Sequence, residues 1–227
     1  MTDILAVSRL NKQFNTQPVI CDLSFSLKPT ERLALLAPSG AGKSSLINLL
    51  SKVDTAYTGS FAVNAHNPAT IFQEPRLFPY MTVEENIFLP FRLQGKSTTA
   101  HYQQHYRHWL AVCGLASYTR HYPYQLSGGM KQKVALIRGF LTGPDLALMD
   151  EPFKSIDAQS KETIMTHLLR CYPHTAMLFV THNPEEIPLL AHSVLVFTGQ
   201  RLGAYTRLKQ GKYPPGLRNY HPSDLPF

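Results

Sequence analysis

An α/β fold with a mainly parallel sheet, an antiparallel β region at its start and an inserted helical lobe is predicted by three stretches of this chain. Leu33 to Ser45, LALLAPSGAGKSS, is an apolar run that ends in a glycine-containing turn and leads through Lys43 into a helix over Leu46–Leu50. Asp145 to Pro152, DLALMDEP, is a second apolar run, and it ends in two carboxylates. Residues 97–125, between them, are polar, rich in His and Tyr, and helical in period. Short apolar runs bounded by turn residues are the pattern of strands buried on both faces, as parallel strands are.

Residues 4–10 (ILAVSRL) and 23–27 (LSFSL) alternate as half-exposed strands do, which places an antiparallel region ahead of the buried strand. Phe14 falls in the polar stretch between them, either as a packing residue or as an exposed aromatic able to stack on a nucleobase. The turn after Leu36 reads Ala37, Pro38, Ser39, Gly40, Ala41, Gly42, Lys43, Ser44, which matches G-x-x-x-x-G-K-[ST] at every defining position but the first. Gly40 and Gly42 let the backbone curl into a nest of N–H groups, and the helix dipole adds positive potential. Lys43 supplies a cation for outer phosphates, Ser44 a hydroxyl for Mg²⁺, and Ser45 sits deeper in the turn. Phosphate binding explains the pattern better than a plain Gly/Ser turn with a chance lysine. If position 37 requires a positive φ, Ala37 stores strain of about 1 kcal/mol.

Gly59 to Ala65 and Ala69 to Gln73 read as two further strands, with Gln73 at a strand's edge. Thr82 and Glu85 have capping-box spacing ahead of an apolar-faced helix. In the polar lobe, Tyr102, Tyr106, Trp109, Leu110 and Cys113 mark a helix. His101, His105 and His108 share one of its faces, but no cysteine or carboxylate stands at a matching position, so a metal site is not predicted there. In LSGGMKQKVALIRGFLTG, Ser127 is placed as an N-cap, Gly128 and Gly129 open the turn, and Val134, Ile137 and Leu141 line a helix. That is a second helix N-terminus able to hold an anion. Asp150 and Glu151 stand at the carboxyl end of a buried strand, where sheets of this kind hold Mg²⁺ and activate water. Thr175 to Val180 is another buried strand, ending at Thr181 and His182. The stretch from Gly211 onward has four prolines and predicts an irregular extension.

With 227 residues and 44% hydrophobic content, the chain predicts one domain with a full core. The expected parts are a core over about 1–75 and 144–210, a helical subdomain over 76–143 and an irregular tail over 211–227. No uncharged apolar run is long enough to span a bilayer, and the N-terminus carries Asp3 with no signal-peptide pattern, so a cytosolic protein is expected. Cys21, Cys113 and Cys171 are odd in number and widely spaced, which predicts reduced, mostly packed thiols. The net charge of +7 comes without a dense basic run and argues little for nucleic acid.

In this order the motifs resemble those of the nucleotide-binding subunit of ATP-binding cassette (ABC) transporters, from about Ile4 to Gly203. They are the Walker A loop, a glutamine loop at Gln73, a signature at Leu126–Met130, a Walker B strand ending in Asp150 and Glu151, a D-loop at Ser155–Asp157 and a switch histidine, His182. The resemblance implies an ATPase that forms a head-to-tail homodimer on binding ATP. Each nucleotide then lies between one Walker A loop, residues 39–45, and the partner's signature serine and glycines. By the same resemblance, Phe14 stacks on adenine, and Lys43 holds the β- and γ-phosphates. Ser44 and Gln73 hold Mg²⁺, and Asp150 holds the metal or its water. Glu151 is the general base, His182 the γ-phosphate contact and Asp157 a link across the dimer.

QEPRLFPYMTVEEN and the spelling LSGGM resemble the importers of nitrate, sulfonate and taurine type. An integral membrane permease, with Phe78, Pro79 and Tyr80 as contacts, and indirectly a solute-binding protein are then the expected partners. The subunit would lie on the inner face of the cell membrane. The rival reading is a soluble ABC-type ATPase acting on nucleic acid or ribosomes, but such proteins usually carry two cassettes or long insertions. Against the family pattern stand Ala37, Thr30 where a glycine usually precedes Glu31, Lys154 and Ser155 in a stretch usually reading Gly-Ala, and Asn183 for an aspartate.

Overall fold

The computed structural model describes residues 2–95 and 99–210. The expected tail over 211–227 lies outside them. By contact density the described residues form two units, one of residues in 2–68, 145–151 and 174–210, the other of residues in 69–144 and 152–173. Residues 69–75 and 152–173 thus group with the helices of the lobe expected over 76–143.

In the first unit, β1 (Leu5–Phe14) lies antiparallel to both β2 (Gln17–Leu27) and β4 (Thr58–Val63). Alternation in β1 places Leu5 and Val7 in the core, and a register shift between Val7 and Leu10, where Arg9 has φ 46°, returns Leu10 to the core as well. Phe14 is the last residue of β1, so the turn begins one residue later than the sequence suggested. The second sheet runs β6 (Leu146–Asp150), β7 (Ala176–Val180), β3 (Arg32–Leu36), β8 (Ser193–Val196) and β9 (Thr206–Lys209). All its neighbours are parallel except β8 and β9. Every residue of β6, β7 and β8 is buried, which accounts for their unbroken apolar runs. Helix α1 (Lys43–Leu50) begins three residues before the predicted start and buries Leu46, Ile47, Leu49 and Leu50 in the core beside Leu146 and Leu148.

One departure from the family pattern falls at the entry to β3. Glu31 N donates to Lys28 O at 3.1 Å, closing a turn with Pro29 and Thr30 at its centre. Thr30 has φ 65°, and a proline before it excludes a left-handed first position, so this is a type II turn with a β-branched residue where glycine is favoured.

Chain leads through β5 (Pro68–Ile71) into the second unit, which holds α2 (Val83–Leu93), α3 (Ala100–Cys113), α4 (Gly128–Phe140) and α5 (Ala158–Cys171). The Thr82/Glu85 capping box is present in full: Glu85 N donates to Thr82 Oγ1 at 3.2 Å, and Thr82 N donates to Glu85 Oε2 at 2.8 Å. An aromatic core joins α3 to α4 and α5, with Trp109 fully buried, 6.2 Å from Phe140 between ring centroids, and donating from Nε1 to Tyr172 Oη at 2.8 Å. His167 of α5 meets Trp109 edge-on at 4.2 Å. Burial foremost, with the neighbouring charges of His108, His105 and Arg170, pushes the His167 imidazole down to about 4, so it is neutral at pH 7. The expectation of mostly packed thiols holds for Cys113 alone: Cys21 is half-buried and Cys171 exposed. Among the described residues no helix is long and apolar enough to cross a membrane. A short α6 (Glu186–Leu190) returns the chain to β8 in the first unit.

Candidate functional site

Three parallel neighbours deliver their carboxyl ends to one edge of the first unit's sheet. Leu35 stands opposite Val180, and Val180 opposite Asp150, so the segments that begin at Ala37, Thr181 and Glu151 leave the same edge. Gly40 and Gly42 have φ 78° and 96°, and Gly42 is the residue that caps α1. A Cβ on Gly42 would lie 2.8 Å from Val19 O, so neither the conformation nor the space admits a side chain. Ala37, by contrast, is buried and is not among the residues of positive φ. The strain suggested for it is absent, because the loop turns left-handed only from position 40.

Lys43 is 8% exposed and donates from Nζ to Ala37 O and Pro38 O, both at 2.8 Å, which draws the ammonium back across the loop. Burial pulls its pKa down, and the charges of Glu151 and Asp150 oppose that shift, so cation and carboxylates share one electrostatic site. Asp150 is the last residue of β6 and is buried. Glu151 follows with φ 46°, pinned by its N–H to Val180 O at 2.9 Å. Its Oε2 lies 3.2 Å from Nδ1 of the exposed His182. The segment carrying His182 is wound tightly, with Asn183 N and Glu186 both bonded to the Thr181 hydroxyl. Asn183 Oδ1 accepts from Glu185 N at 3.0 Å, a turn bond that an aspartate at this position would make equally. Ser44, Ser45, Ser39 and Ala41 belong to this loop and helix start, and Ala41 is buried. Phe14 is 50% exposed, with Lys12 Nζ 4.7 Å from its ring centroid.

The remaining predicted residues lie in the second unit. Half-buried Gln73 follows β5 by two residues. Ser127 caps α4, its Oγ accepting from Met130 N at 3.2 Å, which leaves the Gly128 and Gly129 N–H groups without an intrahelical acceptor. A Cβ on Gly129 would sit 2.4 Å from Ser155 O, whereas one on Gly128 would only graze Ser155 Cβ at 4.0 Å. Ser155 has φ 64°. Asp157 is the N-cap of α5, accepting from Ser160 N at 2.8 Å, and lies 3.6 Å from Lys133 Nζ.

Two residues that organise the segment after Gln73 escaped sequence reasoning. Asn86, fully buried on α2, donates from Nδ2 to Phe78 O, Met81 O and Thr82 O, and accepts from Phe78 N at 2.8 Å. Arg138 of α4 donates to Pro75 O and Arg76 O at 2.8 and 3.0 Å. The signal for Asn86 was an amide set within the apolar stripe of Val83, Ile87 and Phe91. Between them they fix the loop that presents Phe78, 50% exposed, and Tyr80, 92% exposed.

Comparison with known proteins decides the family. A family model described as ABC transporter matches residues 20–154. This chain belongs to that family. The aliphatic sulfonates import ATP-binding protein of Paracoccus denitrificans is 36% identical over 196 residues, covering 85% of this chain and 78% of its own. The formylaminopyrimidine import ATP-binding protein of Halalkalibacterium halodurans is 34% identical over 213 residues, covering 90% and 82%. A solved ATP-binding subunit of an ABC transporter has a TM-score of 0.82 at 26% identity, covering 96% of this chain and 95% of that one. A dimeric ATP-binding cassette bound to ADP and Pi shares the fold, with a TM-score of 0.77 at 21% identity and coverage of 91% and 98%. As an ABC transporter protein the chain binds ATP and is an ATPase.

Proposed function

We propose that this ABC protein powers import of a small solute through a separate membrane permease, hydrolysing ATP at the edge where Lys43, Asp150, Glu151 and His182 meet. The observation that carries the reading is the pairing of Glu151 with His182 at 3.2 Å beside a glycine loop whose lysine feels both carboxylates. Residues 39–45 bind the phosphates through backbone N–H groups and the Lys43 ammonium. Glu151 accepts the proton of the attacking water, and its backbone bond to Val180 holds the carboxylate in position. His182 orients Glu151 and reaches the γ-phosphate. The donor set of Ser44 hydroxyl and Asp150 carboxylate, joined by Gln73, is all hard oxygen and suits Mg²⁺, which when bound offsets phosphate charge. Phe14 stacks on the adenine. Ser127, Gly128 and Gly129 close on the nucleotide of a second copy in a homodimer, and Asp157 links the two copies. The core and helical lobe act as parts of one ABC ATPase domain.

Import, rather than action on nucleic acid, is supported by relatives that are named as import subunits. Their names span two solute chemistries, as expected when other chains choose the solute. Residence on the inner face of the cell membrane follows from the permease. Glu151→Gln is expected to keep ATP binding within a few-fold and to slow hydrolysis by about 10²–10⁴-fold, because the amide cannot accept the water's proton. Wild-type turnover in that variant would remove Glu151 from the role. Replacing Phe78 and Tyr80 by aspartate should spare ATP binding yet lower recovery of permease in co-purification by ~10²-fold or more, and equal recovery would move the contact elsewhere.

A further inference from the structure

We propose that α3 and α5 carry a zinc site made by His108, His167 and Cys171, separate from the nucleotide site and contained within the helical unit. The sequence predicts no metal on the histidine face of α3, since neither a cysteine nor a carboxylate stands at a matching position. Folding supplies the cysteine. The three histidines of that face do not act together: the His101 and His105 rings lie 4.3 Å apart, while His108 turns to His167 of α5 at 4.9 Å. His167 and Cys171 are one helical turn apart on α5 and so share a face. The ligating atoms of His108, His167 and Cys171 all lie within 4.8 Å of one another.

The distances suit a tetrahedral ion. Bond lengths of about 2.0–2.1 Å to nitrogen and about 2.3 Å to sulfur put two ligands of one zinc about 3.6 Å apart. Cys171 Sγ and His167 Nδ1 are 3.6 Å apart. His108 is exposed, so its ring can close the remaining gap by rotation without disturbing the core. The second observation is His167 itself. It is 7% exposed, its Nε2 has no hydrogen-bond partner, and its Nδ1 meets only sulfur. Nδ1 is committed to nothing stronger than a thiol, so it can offer its lone pair to an ion while the ring proton sits on Nε2. The group opens onto a cavity of about 600 Å³, whose rim also carries Glu162 and Arg170. Glu162 or water can take the fourth position, and Arg170 is the one rim charge that opposes a cation. Two imidazoles and a thiolate favour zinc over magnesium or calcium. Coordination takes the Cys171 proton to solvent. Cys113 is buried and is not among the ligating atoms brought together here.

The test uses the untagged full chain without nucleotide. Titration with Zn²⁺ against a chromophoric chelator should give one ion per chain with micromolar or tighter affinity. Cys171→Ser and His108→Ala should each weaken it at least 10-fold, while His101→Ala and His105→Ala change it less than 2-fold. Both informative positions are exposed, so the fold should survive, and unchanged ATP binding checks this. Co²⁺ should develop a thiolate charge-transfer band in the wild type that is missing in Cys171→Ser. Zn²⁺ should raise the unfolding temperature of the wild type and not of Cys171→Ser. Absence of the cobalt band in the wild type, or zinc binding lost equally on replacing His101, would overturn the assignment.

Discussion

The chain places glycines before a helix twice, at Gly40 and Gly42 ahead of α1 and at Gly128 and Gly129 at the start of α4, and the two pairs answer different demands. In the first, the requirement is chiefly conformational: both residues have positive φ, and Gly42 also has Val19 O where a side chain would go. In the second, neither glycine has positive φ, and Ser127 caps the helix in the ordinary way. Only Gly129 is constrained, and by a neighbour, since Ser155 O occupies the place of its Cβ. A glycine-rich helix start is therefore one sequence signal with two physical causes. The first loop is shaped by its own backbone, the second by the segment 153–156 against which it is packed.

The largest expected effect separates the pairs by mechanism. Gly42→Ala meets both strain and a backbone oxygen, so it should cost about 1–3 kcal/mol of stability and weaken ATP binding at least tenfold. Thermal unfolding and nucleotide titration check this, and wild-type affinity would mean that the nest tolerates a side chain. Next comes the contrast within the second pair. Gly129→Ala should cost about 1–3 kcal/mol through displacement of Ser155, whereas Gly128→Ala should leave stability within about 0.5 kcal/mol. Equal costs for the two would show that α4 demands glycine for its own backbone after all. The smallest effects carry opposite signs. Thr30→Gly relieves a left-handed β-branched residue and should gain about 0.5–1 kcal/mol, while Ala37→Gly only loosens the unfolded chain and should lose about 0.4–1 kcal/mol without tightening ATP binding. A gain for Ala37→Gly in chemical denaturation would restore the strain that the backbone does not show.

Elements whose cause is local were legible in the sequence. The capping box at Thr82 and Glu85, the cap at Ser127, the buried runs of β3, β6 and β7, and the loop from Ser39 to Ser45 each declare themselves within a few residues. Spacing also put Asp150, Glu151 and His182 at strand ends, although only the register of β6 on β7 brings the last two together. What stayed hidden depends on partners far along the chain. His108 and Cys171 are separated by most of the helical unit, so no pattern window contains both. Departure from a family glycine was visible at both Ala37 and Thr30, but φ alone decides which of them is strained. Asn86 signalled only its burial, as an amide within an apolar stripe, because its acceptors are carbonyls, which leave no trace in residue type.

That asparagine has a consequence for recognition. With its amide spent on Phe78, Met81 and Thr82, the backbone of the segment bearing Phe78 and Tyr80 loses its freedom when the helices fold. The Phe78 amide should therefore exchange slowly with solvent although its ring is half-exposed. If a permease docks here as proposed, its seating on these two rings would freeze only side-chain rotors, at roughly 0.5–1.5 kcal/mol apiece, instead of ordering a mobile peptide. Because Asn86 ties this loop to α2, a partner bound to it would be held to the helix through those three amide hydrogen bonds.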